Sequence, residues 1–158
     1  MTNSVRYKKG FCPTLTNPIN SADGLLVRIQ TYMSSLDKSK LLLLCNLAEE
    51  YGSGIMELTN KGSIQVRGIK KINYSNFVKK IFDNKIILNE NDHKFNISVN
   101  PFWKHNDLNN KIYKSLMKIK FPDLHRKFSI VLDTGRKRYL KNISSDIRFE
   151  STQQDKLL

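Results

Sequence analysis

The sequence predicts an α+β chain, with six elements in the order β-α-β-β-α-β over residues 25–88. Three observations lead there. Residues 25–32 alternate, with Leu25, Val27 and Ile29 on one face and Leu26, Arg28 and Gln30 on the other. Period 2 is the mark of a strand with one buried side. Residues 57–68 repeat that alternation on both sides of Asn60-Lys61-Gly62, and Asn and Gly together carry the chemistry of a tight turn. Two segments between and after these strands place apolar residues at helical spacing.

The first strand opens at Gly24. Upstream, residues 1–24 read as irregular, punctuated by Pro13, Pro18 and Gly24. A helix follows the strand. Asp37 is its candidate N-cap and Leu41, Leu44, Leu47, Ala48 and Tyr51 form its stripe. Gly52 stands at the C′ position, with Gly52-Ser53-Gly54 ending the helix. The cluster Leu41–Leu44 is expected to face the core, with Cys45 as a small buried hydrophobe.

The hairpin of residues 57–68 comes next. Ile64 and Val66 share one face. Ser63, Gln65 and Arg67 share the other, with Lys61 at the same parity. An ammonium, an amide and a guanidinium in one row suit a planar polycarboxylate, because Arg grips carboxylates bidentately. The same row is also what the wet face of an ordinary hairpin presents. Asn73 or Ser75 then caps a helix to about Asp83, with Phe77, Val78, Ile81 and Phe82 inward. Ile86, Ile87 and Leu88 read as the last strand. This order is that of a ferredoxin-like fold.

Residues 89–94 are polar, so a boundary is expected near 92, with one unit at 1–92 and a second at 93–158. The second predicts a strand at 95–99, a helix at about 107–120, a strand at 128–132 and two short strands within 138–149. Asp133-Thr134-Gly135 is a turn. These elements are few and look like part of a larger α/β unit.

Composition narrows the function classes. A chain of 158 residues with 39% hydrophobic residues can bury a core. Its apolar runs are far too short to span a bilayer, and no apolar stretch follows the basic N-terminus. No membrane role is expected. Two scattered cysteines, Cys12 and Cys45, point to a reducing, cytoplasmic setting. The net charge of +13 raises nucleic acid as a partner. Lysine, however, outnumbers arginine 20 to 7 and is dispersed rather than clustered. Only Tyr32 offers a stacking ring on the predicted strands, so nucleic acid is not favoured. His93, His105 and His125 lack metal-ligand spacing, and no metal site is predicted. No phosphate loop and no nucleophile elbow is present. Cys12 has no identifiable base, so a catalytic residue remains unassigned.

Several segments together carry a resemblance. They are Lys9-Gly10-Phe11-Cys12-Pro13, Asp23-Gly24-Leu25-Leu26-Val27-Arg28, Gly52-Ser53-Gly54 with Glu57-Leu58-Thr59, and Ile64-Gln65-Val66-Arg67-Gly68. This set resembles the nitrite/sulfite reductase ferredoxin-like half domain, nearest to its precorrin-3B synthase branch. Residues 96–101, 127–133 and 145–149 are similar to the start of the family's haem-type domain, so residues 93–158 would be a partial copy of it. The resemblance implies two repeats of this domain pair, a tetrapyrrole held between them, and a 4Fe-4S cluster on four cysteines of the second repeat. The tetrapyrrole is sirohaem in the reductases and a precorrin substrate, oxidised with dioxygen, in cobalamin synthesis. It implies tetrapyrrole contacts from Arg28, Lys61, Gln65, Arg67 and Lys127. The pattern departs at three points. Lys61 stands where the family usually has Arg, Ser129 replaces a lysine, and Phe95 with Lys94 adjacent replaces an arginine. The cluster cysteines are absent. The implied role is therefore the N-terminal portion of such an oxidoreductase, or a non-catalytic tetrapyrrole-binding module. The redox half would come from another segment or a second subunit; a homodimer mate is the other expected partner, its two copies imitating the family's internal repeat.

Overall fold

The computed structural model describes residues 12–87, 96–105, 107–119 and 127–151. Strands β1 (Ile19–Ser21), β2 (Gly24–Ile29), β3 (Met56–Leu58) and β4 (Ile64–Ile69) form one antiparallel sheet in the order β1-β2-β4-β3. Helices α1 (Lys38–Tyr51) and α2 (Tyr74–Asp83) cover one face of it. The cover follows from alternation. Leu25, Val27, Ile29, Ile64 and Val66 all point to one side, where Leu44, Leu47, Ala48, Phe77 and Ile81 close over them. The opposite side carries Arg28, Gln65 and Arg67, as their parity predicts.

The edge beside β2 departs from expectation. Residues 86–87 form no strand, and Leu88 lies outside the described residues. Ile86 and Ile87 are still buried, as turn residues in the same core. The edge is filled instead by β1, folded back on β2 with Ser21 opposite Gly24. Residues 19–21 read as irregular because three residues, two of them polar, show no alternation. The leucine cluster also splits. Leu44 is buried and Leu43 half-buried, but Leu41 is 42% and Leu42 62% exposed. Four consecutive helical residues sweep most of a turn at 100° each, so they cannot share one face. Cys45 is half-buried rather than buried.

A second, parallel sheet runs β5 (Asn96–Val99), β6 (Ser129–Asp133) and β7 (Ile147–Glu150) in that order. Helix α3 (Leu108–Lys118) lies between β5 and β6 in sequence, capped by Asp107, whose Oδ1 accepts from Asn110 N at 2.9 Å. Only one of the two short strands expected within 138–149 forms. No helix among the described residues is long and apolar enough to cross a membrane.

A 3-10 turn, Tyr32–Ser34, joins the two sheets. Met33 is 1% exposed and sits in the second cluster, with Ile97, Tyr113, Ile130 and Leu132. Gln30 Nε2 and Ser34 Oγ both donate to Ile97 O at 3.3 Å. Met33 and Ser34 have φ of 53° and 52°, a left-handed geometry that non-glycine residues hold only when packing compels it. Tyr32, the one candidate stacking ring, lies in this turn and packs edge-on to Tyr113 at 5.0 Å. Met33→Ala should lower stability by about 2–5 kcal/mol, the usual range for emptying a buried methionine site. Urea unfolding checks this, and a loss well under 1 kcal/mol would mean the turn is not held by Met33.

Candidate functional site

The hairpin forms as the sequence predicts. Gly62 takes φ +71°, Thr59 Oγ1 accepts from Ser63 N at 3.1 Å, and Gly62 N bonds back to Thr59 O. Register then decides what the polar face is. Arg28, Gln65 and Glu57 are direct partners across β2, β4 and β3. Arg28 Nη2 donates to Gln65 Oε1 at 2.7 Å, and Gln65 Nε2 donates to Glu57 Oε2 at 2.9 Å. Arg67 Nε meets Asp23 Oδ2 at 3.1 Å, its Nη1 lies 3.5 Å from Glu57 Oε2, and its Nη2 donates to Ser21 Oγ at 3.3 Å.

The face is therefore a connected row of alternating charge, not a bare cationic stripe. Gln65 hands its amide hydrogen to a carboxylate, and Arg67 is bracketed by two. Hydrogen bonding from Ser21 and then Arg67 holds the Asp23 carboxyl below its ordinary value of 3.8. Asp23 in turn pushes the Arg67 guanidinium up, with Glu57 adding to it. A depressed carboxyl contributes stability above its unfolded value and loses it as pH falls through the folded one. Asp23→Asn should therefore lower the thermal midpoint at neutral pH, and the difference from the parent chain should shrink as pH falls below 3.8 and vanish below the lowered folded value. Thermal scans across that range check it; a gap that persists in acid would exclude the ion pair as its source.

A second feature lies at the hairpin's tip. A cleft of about 520 Å³ opens between Asn60 and Lys61 on one side and Lys127, Ser129 and residues 142–146 on the other. It brings Lys61 and Lys127 to one cavity, although they are distant in sequence and belong to segments flanking different sheets. Lys61 makes no ion pair or hydrogen bond with another described residue. The wall also carries one carboxylate, Asp146, whose Oδ2 accepts from Ser129 N at 2.8 Å and Ser129 Oγ at 3.2 Å, so the cleft sets two ammonium groups against a single negative charge. Two ammonium groups beside hydroxyl and amide groups can hold an anionic, oxygen-rich ligand.

The five residues that sequence reading singles out thus fall into two groups. Arg28, Gln65 and Arg67 form the row across the sheet, and Lys61 and Lys127 line the cleft. Lys94 and Phe95, where the family's further arginine was expected, lie outside the described residues. Asp23, Glu57 and Asp146 escaped notice as site residues. Strand parity could have placed Glu57 beside Gln65, but no local pattern ties Asp146 to Ser129. Among the described residues, no three or more His, Cys, Asp or Glu side chains gather as metal ligands would.

Comparison with known proteins agrees with the fold of the first sheet and its helices. The family model of the nitrite/sulfite reductase ferredoxin-like half domain matches residues 17–81. That segment holds β1 through most of α2, an α+β unit with an antiparallel sheet and two helices, as in a ferredoxin-like half domain. The chain is also 29% identical, over 153 residues, to a precorrin-3B synthase of Sinorhizobium sp.. The match covers 91% of this chain and 33% of that relative, so the chain spans about a third of the relative's length.

Proposed function

We propose that this chain is the ligand-holding, N-terminal portion of a precorrin-3B synthase-like oxidoreductase, and that it binds a carboxylate-rich tetrapyrrole at the cleft between the hairpin tip and residues 127–146. The observation that carries the reading is the meeting of Lys61 and Lys127 at one cavity. A uroporphyrin-type macrocycle carries carboxylates around its rim, and two ammonium groups with neighbouring hydroxyls match them in charge and hydrogen bonding. The open cleft would admit an edge of the macrocycle while the rest extends over the hairpin face. Arg28, Gln65 and Arg67 then act as a supporting row. Arg67 can pass from Asp23 or Glu57 to a ligand carboxylate only by exchanging one partner for another.

The tetrapyrrole, when bound, supplies the redox-active ring, either as a precorrin substrate or as sirohaem. The residues here attract its carboxylates and fix its orientation. The 4Fe-4S cluster does not fit this chain. Four thiolates are the usual ligand set, and Cys12 and Cys45 supply two at most. No step is assigned through a cluster here; that centre would belong to another segment or subunit. The same cysteine count favours a second reading, a tetrapyrrole-binding module without turnover.

Titration of the full chain with uroporphyrin III, followed by fluorescence quenching, tests both readings. Saturable binding that weakens with added salt is the expected result. Absence of binding at low salt overturns both. Oxygen consumption with a precorrin substrate and a reductant then separates the enzyme from the carrier.

A further inference from the structure

The wall of the cleft that faces the hairpin is a loop, Leu140 to Asp146, yet it is tied at both ends. At its start, the fully buried Asp133 carboxylate accepts from Leu140 N at 2.8 Å and Tyr139 N at 3.3 Å. From β7, Arg148 Nη1 donates to Leu140 O at 3.1 Å and Nη2 donates to Ile143 O. Glu150 Oε1, 3.2 Å from Nη1, holds that guanidinium in place. At the loop's end, Asp146 N donates to Ser129 O at 3.0 Å.

Within this anchored wall one polar atom is left over. Ser145 Oγ is closed to solvent and has no hydrogen-bond partner. A buried hydroxyl without a partner is costly, so folded chains seldom keep one without a reason. Ser145 also borders the cleft that holds Lys61 and Lys127. A serine side chain has three staggered χ1 wells. Rotation about that bond moves the hydroxyl while the tied backbone stays fixed, and an acceptor in the cleft would give it the bond it lacks.

We infer that Ser145 is a ligand-contacting residue of this cleft, donating its hydroxyl to a carboxylate oxygen that Lys61 and Lys127 attract. The inference rests on the reading of the cleft as a carboxylate site. It adds direction to that site. The lysines supply charge with little geometric demand, whereas a hydroxyl on a fixed loop accepts a carboxylate from one side only. Arg148 and Asp133 contribute by keeping the loop in place.

The test compares Ser145→Ala with the Lys61→Ala, Lys127→Ala double variant in the full chain, using uroporphyrin III as the probe. Ser145→Ala should weaken binding by about tenfold, the usual effect of losing one hydrogen bond to a charged acceptor. Its salt dependence should match the parent chain, because no charge has changed. Its urea midpoint should be unchanged or higher, since removing an unsatisfied hydroxyl relieves a cost. The double lysine variant should lose affinity and also flatten the salt dependence. Parent-like affinity in Ser145→Ala, beside a weakened lysine variant, overturns the role of Ser145 alone. So does weakened binding accompanied by a lower urea midpoint, which would make Ser145 a packing residue. Parent-like affinity in the lysine variant removes the carboxylate site itself, and this inference with it.

Discussion

Replacing Lys61 and Lys127 together by alanine is expected to weaken uroporphyrin III binding by about a hundredfold, at ~1.5 kcal/mol for each charged contact. The size follows from where the two ammonium groups stand. Both line the cleft at the hairpin tip, so a carboxylate seated there meets two positive charges at once. Arg67→Ala should cost less, about threefold, although Arg67 is the stronger carboxylate ligand by chemistry. In the structure Arg67 is already held by Asp23 and Glu57, so a ligand gains only the difference between old and new partners. Fluorescence titrations of the three variants order the contributions. A larger loss in Arg67→Ala than in the double lysine variant would move the site from the cleft to the sheet face.

Gly68→Ala should be among the most damaging single substitutions for folding, with a loss of about 2–4 kcal/mol. Gly68 has φ +70°, where a side chain costs about 1–2 kcal/mol. A Cβ built there would stand 2.7 Å from Ser53 Cβ and 3.0 Å from Ser53 N. Backbone cannot yield cheaply, because Ser53 N and Ser53 Oγ both donate to Arg67 O. The other side is equally close, since a Cβ on Gly24 would meet Gly68 C at 2.8 Å. This crowding lies where β2 and β4 slip in register between Leu25 and Val27. Gly62→Ala provides the comparison. It has the same sign of φ, but its Cβ would meet Ser34 Cβ at 3.4 Å, in near-ordinary contact. Its loss should be close to the backbone cost alone, about 1 kcal/mol. Urea midpoints of the two variants separate crowding from backbone conformation. Equal losses would show that the close approach at Gly68 carries no extra cost.

These two glycines mark how far local pattern reaches. The turn at Gly62 was legible, because Asn60-Lys61-Gly62 sits between two alternating runs. Gly68 appeared only as part of a resemblance, because its requirement comes from Ser53 and Gly24, which are remote in sequence. The same division runs through the site. Parity placed Gln65 and Arg67 on one face, yet nothing local revealed that Glu57 and Asp23 would occupy them. Four leucines in a row looked like core, and two of them face water.

The sequence by itself determined the elements whose residues repeat with a strand or helix period. These are the strands around Val27 and Val66, the helices around Leu44 and Phe77, and the hairpin turn that carries Lys61. Each rests on interactions among near neighbours, which the order of residues encodes directly. Only the tertiary structure decided three other things. It closed the sheet with residues 19–21 rather than 86–87, it paired Arg67 with Asp23 and Glu57, and it placed Lys127 and Ser145 across a cleft from Lys61. Each of these depends on register and packing between distant segments. A shift of one residue in pairing would turn every side chain to the other face, so no local pattern could have settled them.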